Sequence, residues 1–276
     1  MYVSNSSATF SISGYGDVED YSETMNVVIG ESYTKTISLT TRNFLKITES
    51  QNIKFSENVS QVDVTVVGGG GGGGDTHEST HGGAQYILTG GGGGGGYCTV
   101  QENVNFTADV SYSAIVGAGG AVKADGGFSS FLGVLANGGS AGGNGSDGGG
   151  AGNGRGGHGV NYSEINDETE SQGGNGVAGS VAGYSSFTDT VVYGGGGGAG
   201  SGGSFTVGGS GAGYGGNGSA VNARTDCPGT AGADGFGGGG GGAGGNVYSN
   251  DFELCSGTKG GSGCVAIRMH FNFDAS

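Results

Sequence analysis

The chain runs a β-rich apolar piece straight into glycine, again and again. VDVTVV opens seven consecutive glycines at 68–74, QYILT leads to seven more at 90–96, and YSAIV, GVLA, DTVVY and SFTV each lead into a further run. The last element reverses the order, with GGSGCVAIRMHF passing from glycine into a strand. Spacings differ, so this is an alternation of strand and glycine and not a fixed-length solenoid repeat. Glycine loses more conformational entropy on ordering than any other residue and brings no side chain to a core. The runs therefore stay as flexible linker, or they are ordered by something other than side-chain packing.

The second arrangement fits the pattern better. A linker gives no reason to break glycine into many short runs, or to start each run where a strand ends. Serine, its usual companion, lies largely outside the longest runs. A polyproline-II-type helix of glycine has three residues per turn and no internal hydrogen bonds, so every N–H and C=O points sideways and needs a partner. With no Cβ in the way, neighbouring glycine helices approach until these groups bond to one another. Candidate rods are 68–74, 90–96, 117–120, 138–150, 152–159, 173–179, 194–203, 208–218, 235–245 and 260–263. Ala118, Ala141, Ala151, Ala199, Ala212 and Ala243 suit the outer surface or edge of such a bundle. The strands, rich in Val, Ile, Phe and Tyr, would supply a conventional sandwich core beside it.

Composition removes several function classes. Glycine contributes 73 of 276 residues, but there is one proline, Pro228, and no G-X-Y period, which excludes collagen. No apolar run is long enough to span a bilayer, and YVSNSSATFSIS after Met1 lacks the basic start and apolar core of a secretory leader. The formal net charge of −15, with no basic patch, argues against nucleic-acid binding. Cys98 and Cys264 sit in apolar strand-like pieces and read as buried free thiols. Cys227 and Cys255 lie in polar insertions, and the sequence leaves open whether they pair. No C-x-x-C spacing suggests zinc.

His77-Glu78-Ser79-Thr80-His81 matches the H-E-x-x-H pattern of zinc proteases. That pattern works only on a helix, where both histidines share a face. Here glycine runs flank it closely, and a helix so short cannot nucleate between them. The expectation is a polar loop. No GK[ST] phosphate loop and no supported nucleophile motif occurs, so the chain is read as having no enzymatic activity and no cofactor.

A rigid glycine bundle offers few side chains, so any recognition would have to come from the insertions between rods. DTHESTH (75–81) carries His77 and His81. VNYSEINDETESQ (160–172) carries Tyr162, Glu164, Asp167, Glu168 and Glu170. SAVNARTDCPGT (219–230) carries Arg224, and NVYSNDFELCSGTK (246–259) carries Tyr248 and Phe252. Aromatic residues beside hydrogen-bonding groups suit protein or sugar contacts. The acidic insertion could take calcium by its carboxylates, but it lacks the EF-hand spacing.

FSENVSQVDVTVVGGGGGGG, GGGGGGGYCTVQENVNFTADVSYSAIVGAGG, GGFSSFLGVLANGGSAGG and the closing GGSGCVAIRMHF resemble, in order and flanks, the glycine-rich domain of bacteriophage tail proteins. They also resemble the extracellular glycine-rich domain of the anaplastic lymphoma kinase receptor. The resemblance implies a mostly β chain with little or no α-helix: a jelly-roll-like β-sandwich merged with a bundle of polyglycine II helices. It covers about residues 50–272, within a glycine-rich domain at 51–276; residues 1–50 fall outside the resemblance, and a β-rich attachment segment is the separate expectation for them. It further implies a virion protein, extracellular, whose tip loops bind a host surface receptor, protein or glycan. The expected receptor-binding residues are His77, His81, Tyr162, Glu164, Asp167, Glu168, Arg224, Tyr248 and Phe252. The expected partners through 1–50 are other tail proteins, with homo-oligomers compatible and neither nucleic acid nor membrane insertion involved. The competing expectation is a non-catalytic stiff spacer. An ice-binding polyglycine protein would need regular G-x-x periods and a flat face of small residues, which the chain lacks.

Overall fold

The computed structural model describes residues 17–28, 34–57, 59–81, 84–144, 149–159, 161–162, 172–202, 208–219, 229–248 and 251–271. Strands form where the β-branched residues are. In chain order they are β1 (Asp17–Val28), β2 (Thr34–Ile47), β3 (Gln51–Lys54), β4 (Val59–Val67), β5 (His77–His81) and β6 (Ala84–Leu88). Then come β7 (Cys98–Val104), β8 (Ser111–Ala114), β9 (Ser129–Phe131), β10 (Val134–Ala136) and β11 (Asn161–Tyr162). Last are β12 (Ala182–Tyr184), β13 (Thr190–Val192), β14 (Gly245–Tyr248), β15 (Asp251–Leu254) and β16 (Cys264–Phe271). Among the described residues every strand–strand pairing is antiparallel, the Gly202–Gly245 bridge alone being parallel, and there is no helix, as the sequence predicts.

The main sheet has the order β1-β2-β16-β4-β7. Its register sets Val66 opposite Val265, Val64 opposite Ile267 and Val62 opposite Met269. Alternation then carries these residues to one face. A second layer, β3 with β8 and β9 with β10, joined by the Ile115–Ser130 bridge, covers that face. Ile53, Phe55, Phe131 and Val134 fill the space between the layers. β4 is buried on both sides: opposite the face of Val62, Val64 and Val66 lie Asp63, Thr65 and Val67, and Val67 packs with Cys98, Cys264 and Tyr193.

Beyond β4 the packing changes kind. Gly68, Gly71 and Gly74 donate their N–H groups to the carbonyls of Tyr97, Gly94 and Gly91. Gly69 and Gly72 donate to Gly127 and Ala124, and Gly70 and Gly73 donate to Gly261 and Thr258. The carbonyls of 69 and 72 accept from Gly139 and Gly142, those of 70 and 73 from Gly120 and Lys123, and those of 71 and 74 from Gly240 and Ala243. Each neighbour is met at every third residue, which is the period of an extended threefold helix. Segments on all sides thus close on 68–74 with nothing but backbone between them. A Cβ at Gly71 would fall on the Ser140 carbonyl, and one at Gly93 on the Gly71 carbonyl.

Three expectations about the rods change. Residues 138–150 are not one rod, because 137–143 runs antiparallel to 90–96 while Gly150 and Asn153 bond Gly92 and Gly95 in parallel. Residues 208–218 are two segments, not one, because Gly213 (φ 55°) turns the chain back and Gly218 then bonds to Gly209. Ala199 and Ala243 are fully buried instead of lying at an edge. Ala243, two residues before β14, packs against Cys255, and Ala199 is bonded through its backbone to Gly174 and Gly209.

Candidate functional site

The hydrogen bonds fix the direction of every run they join. Run 68–74 leaves the main sheet from β4, and 90–96 returns to it antiparallel, with Gly71 bonding Gly94 and Gly74 bonding Gly91. Runs 137–143 and 237–244 go out alongside 68–74 in parallel, through the bonds of Gly139 and Gly142, and of Gly240 and Ala243. Run 154–157 and the run from 194 go out antiparallel to 90–96. Segment 214–219 runs parallel to the latter, with Gly198 bonding Gly216 and Ser201 bonding Ser219. The runs before 75, 160, 220 and 245 therefore all point away from the sheet. Every one of the polar insertions singled out in the sequence begins at the same far end of the bundle.

At that end HESTH is neither helix nor loop. It is β5, paired with β6 so that His77 faces Leu88 and His81 faces Ala84. The expected loop becomes a strand because AQYIL supplies a β-branched partner to pair with. Histidines four apart on a strand are about 13 Å apart along it, which removes the shared-metal geometry. β11 adds to the other side of β6, with Tyr162 opposite Ile87. β14 and β15 form a hairpin in which Val247 faces Phe252 and Tyr248 faces Asp251, and β14 lies beside β6. The backbone thus brings His77, His81, Tyr162, Tyr248 and Phe252 together at one end. Glu164, Asp167, Glu168, Glu170 and Arg224 lie outside the described residues.

Asp75, the first residue of DTHESTH, ties this end together, a role that its place in the insertion does not reveal. Its Oδ1 accepts the Gly257 N–H at 3.0 Å, and its Oδ2 lies 3.6 Å from Lys123 Nζ. Thr76 Oγ1 donates to the Cys255 carbonyl at 3.2 Å. Cys255 is disulfide-bonded, whereas Cys98 and Cys264 are buried free thiols. Cys227, the sequence's candidate for pairing, lies outside the described residues. Among the described residues no group of three or more His, Cys, Asp or Glu side chains could hold a metal ion.

A family model described as a glycine-rich domain matches residues 46–270. The chain belongs to that family. No curated protein matches it.

The match to the glycine-rich domain begins inside β2, whose Phe44, Leu45 and Ile47 are buried, and β2 is bonded to β16 near the other end of the match. On the sheet side the domain carries a second polar constellation that the sequence did not reveal. Asp63 stands alone in VDVTVV, 1% exposed. Its carboxylate accepts from Arg268 Nε at 2.8 Å, from the Asn103 N–H at 2.8 Å, and meets His270 Nε2 at 2.7 Å. Asn103 is held at φ 54° in a bulge of β7 opposite Asp63. Burial pushes the Asp63 carboxyl up, but the Asn103 N–H, Arg268 and His270 outweigh it and leave it below the ordinary carboxylate range. Arg268 also donates to Tyr184 Oη at 3.0 Å, and its guanidinium lies over the Tyr184 ring. Tyr184 donates to Glu102 Oε1 at 2.6 Å; burial, then that bond, pushes its phenol up to about 12. The network pins the β12–β13 hairpin to the sheet: Tyr184 N–H donates to Thr65 Oγ1, and Tyr193 Oη donates to the Tyr184 carbonyl. Every charge in it is answered inside the molecule, so its role is structural.

Proposed function

We propose that this glycine-rich domain serves as a bacteriophage tail-tip or fibre protein that binds a host-cell surface receptor, protein or glycan, through the far end of its bundle. In this reading the runs are polyglycine II helices and form a stiff stalk. The observation that carries it is the direction of the runs: they alternate so that the polar insertions all start at the end opposite the sheet. A rigid scaffold that gathers variable polar segments at one end is how binding surfaces are generally built. Residues 1–50 then dock the domain to other virion proteins, and the chain works outside the host cell as a non-catalytic component.

The test is direct labelling of cells. Fluorescent protein should decorate phage-susceptible bacteria, and Tyr162→Ala or Tyr248→Ala should abolish the signal while amide protection of 68–74 stays native. Labelling that survives all far-end substitutions would sink the reading. A second reading, the rigid spacer, is favoured by the lateral bonding alone. It predicts no decoration of any strain, together with retention in the virion through residues 1–50.

A further inference from the structure

We propose that a cavity on the flank of the molecule, away from the far end, binds a single sugar unit of a neutral saccharide. The cavity holds about 540 Å³ and is lined by Thr48, Glu49, Gly119, Asp234, Lys259 and Ser262, among others. That volume falls inside the ~300–1,000 Å³ of small-molecule sites. It lies where β2 ends, beside the turn at 234–237 that starts run 237–244. It does not depend on the receptor reading, which concerns the opposite end of that run.

The threefold period builds one wall. Lys259 and Ser262 stand three residues apart in 257–263, so both reach the same outer edge, while Thr258 and Gly261 bond inward to run 68–74. Ser262 then orders the turn facing it. Its N–H donates to Asp234 Oδ1 at 2.9 Å, and its Oγ accepts the Gly235 N–H at 3.1 Å. The other Asp234 oxygen stops 3.6 Å from Lys259 Nζ. That gap exceeds a hydrogen bond. It leaves an acceptor and a donor side by side, both more than half exposed. A hydroxyl has one proton to give and two lone pairs. Lodged there, it donates to Asp234 and accepts from Lys259 at once.

The remaining groups select a polyol over an ion. Glu49 is exposed, and among the described residues it has no hydrogen bond or ion pair and neither the N–H nor the C=O of Gly119 is bonded. A phosphate would meet Glu49 and Asp234, and a metal cation would meet Lys259. A neutral sugar, with donors and acceptors on adjacent carbons, satisfies both signs. The site is also held ready: Gly260 N–H bonds the Gly120 carbonyl at 2.9 Å. A Cβ at Gly119 would fall on the Gly260 carbonyl, so the walls are fixed by backbone contact. Preorganisation of this kind lowers the ordering cost of binding.

Saturation-transfer NMR on the full chain tests this with free glucose, galactose, mannose and N-acetylglucosamine as probes, and inorganic phosphate as competitor. At least one sugar should receive saturation, and phosphate should leave that signal unchanged. Lys259→Met and Glu49→Gln should each weaken the sugar by about tenfold or more. Amide exchange of 257–263 should stay native in both. Asp234 is avoided because its removal also frees the Ser262 N–H. The proposal is overturned if none of the sugars receives saturation, if both variants bind as the parent does, or if phosphate competes. Tyr248→Ala, which should abolish cell labelling, should leave the sugar signal intact, so the two readings fail separately.

Discussion

Val64 and Gly93 are both buried, and the ways they are buried have little in common. Val64 is packed by side chains, among Val62, Val66, Ile267 and Phe131. Gly93 is packed by peptide groups: its N–H bonds the Gly240 carbonyl at 2.8 Å and its carbonyl accepts from Gly197 at 2.9 Å. The sheet core follows the hydrophobic effect, where lost methyl groups cost area and leave cavities. The bundle is governed by backbone satisfaction and close approach, where an added methyl has nowhere to go. One region is damaged by subtraction and the other by addition.

The largest effect should therefore come from the smallest addition. Gly93→Ala places a Cβ on the Gly71 carbonyl and pushes two central runs apart, so several lateral bonds are lost together. The expected cost is at or above ~4 kcal/mol, at the extreme of single substitutions. Chemical denaturation measures it, and amide exchange along 68–74 and 90–96 should accelerate even where the variant still folds. Near-native stability would mean the runs are not in backbone contact.

Next comes Asp63→Asn, expected to cost on the order of 3 kcal/mol at neutral pH because Arg268 loses a buried partner. Its pH dependence has a definite sign. The folded-state pKa of Asp63 lies below its unfolded value. Its contribution is thus complete above the ordinary carboxylate range and disappears as pH falls from about 4 downward. The stability gap between parent and variant should close over that window, as urea midpoints at stepped pH would record. Val64→Ala, a plain subtraction from the sheet core, should cost about 2 kcal/mol with no pH dependence in the gap. If Val64→Ala proved worse than Gly93→Ala, the contrast between the two regions would be wrong.

The two regions also differed in how much the sequence disclosed. VDVTVV and GCVAIRMHF announce strands by their residues, and they pair with each other as β4 and β16. Lateral glycine packing was legible from the absence of any other use for the glycine. The turns were not. Gly213, Gly235 and Gly237 take positive φ where the chain reverses, yet a turn made of glycine looks the same as a rod made of glycine. Residues 257–263 escaped in part for the opposite reason, since Thr258, Lys259 and Ser262 disguise a run whose fixed positions are glycine. Asp63 was visible only as an oddity in an apolar strand, because Arg268 and His270 lie more than 200 residues away in sequence. At the candidate binding end, the insertions could be named from their composition. That they begin at one end depends on counting reversals, and the reversals are what glycine hides.

The finest test of the threefold register uses neighbouring positions in that disguised run. Gly260 faces inward, and a Cβ there would meet the Gly70 carbonyl, whereas Lys259 is exposed at the outer edge. Lys259→Ala should change stability by no more than ~0.5 kcal/mol, since its partner Asp234 is as exposed as it is. Gly260→Ala, which places a methyl group one residue along where none was, should fall with Gly93→Ala instead. A sheet would give a similar contrast between adjacent residues, because strands alternate. What separates the two is position 261: period two makes it equivalent to 259, while period three turns it inward, where its N–H bonds the Gly238 carbonyl. Gly261→Ala should therefore be as damaging as Gly260→Ala. A mild effect at 261 would return this run to ordinary strand geometry and leave the bundle no different in kind from the sheet.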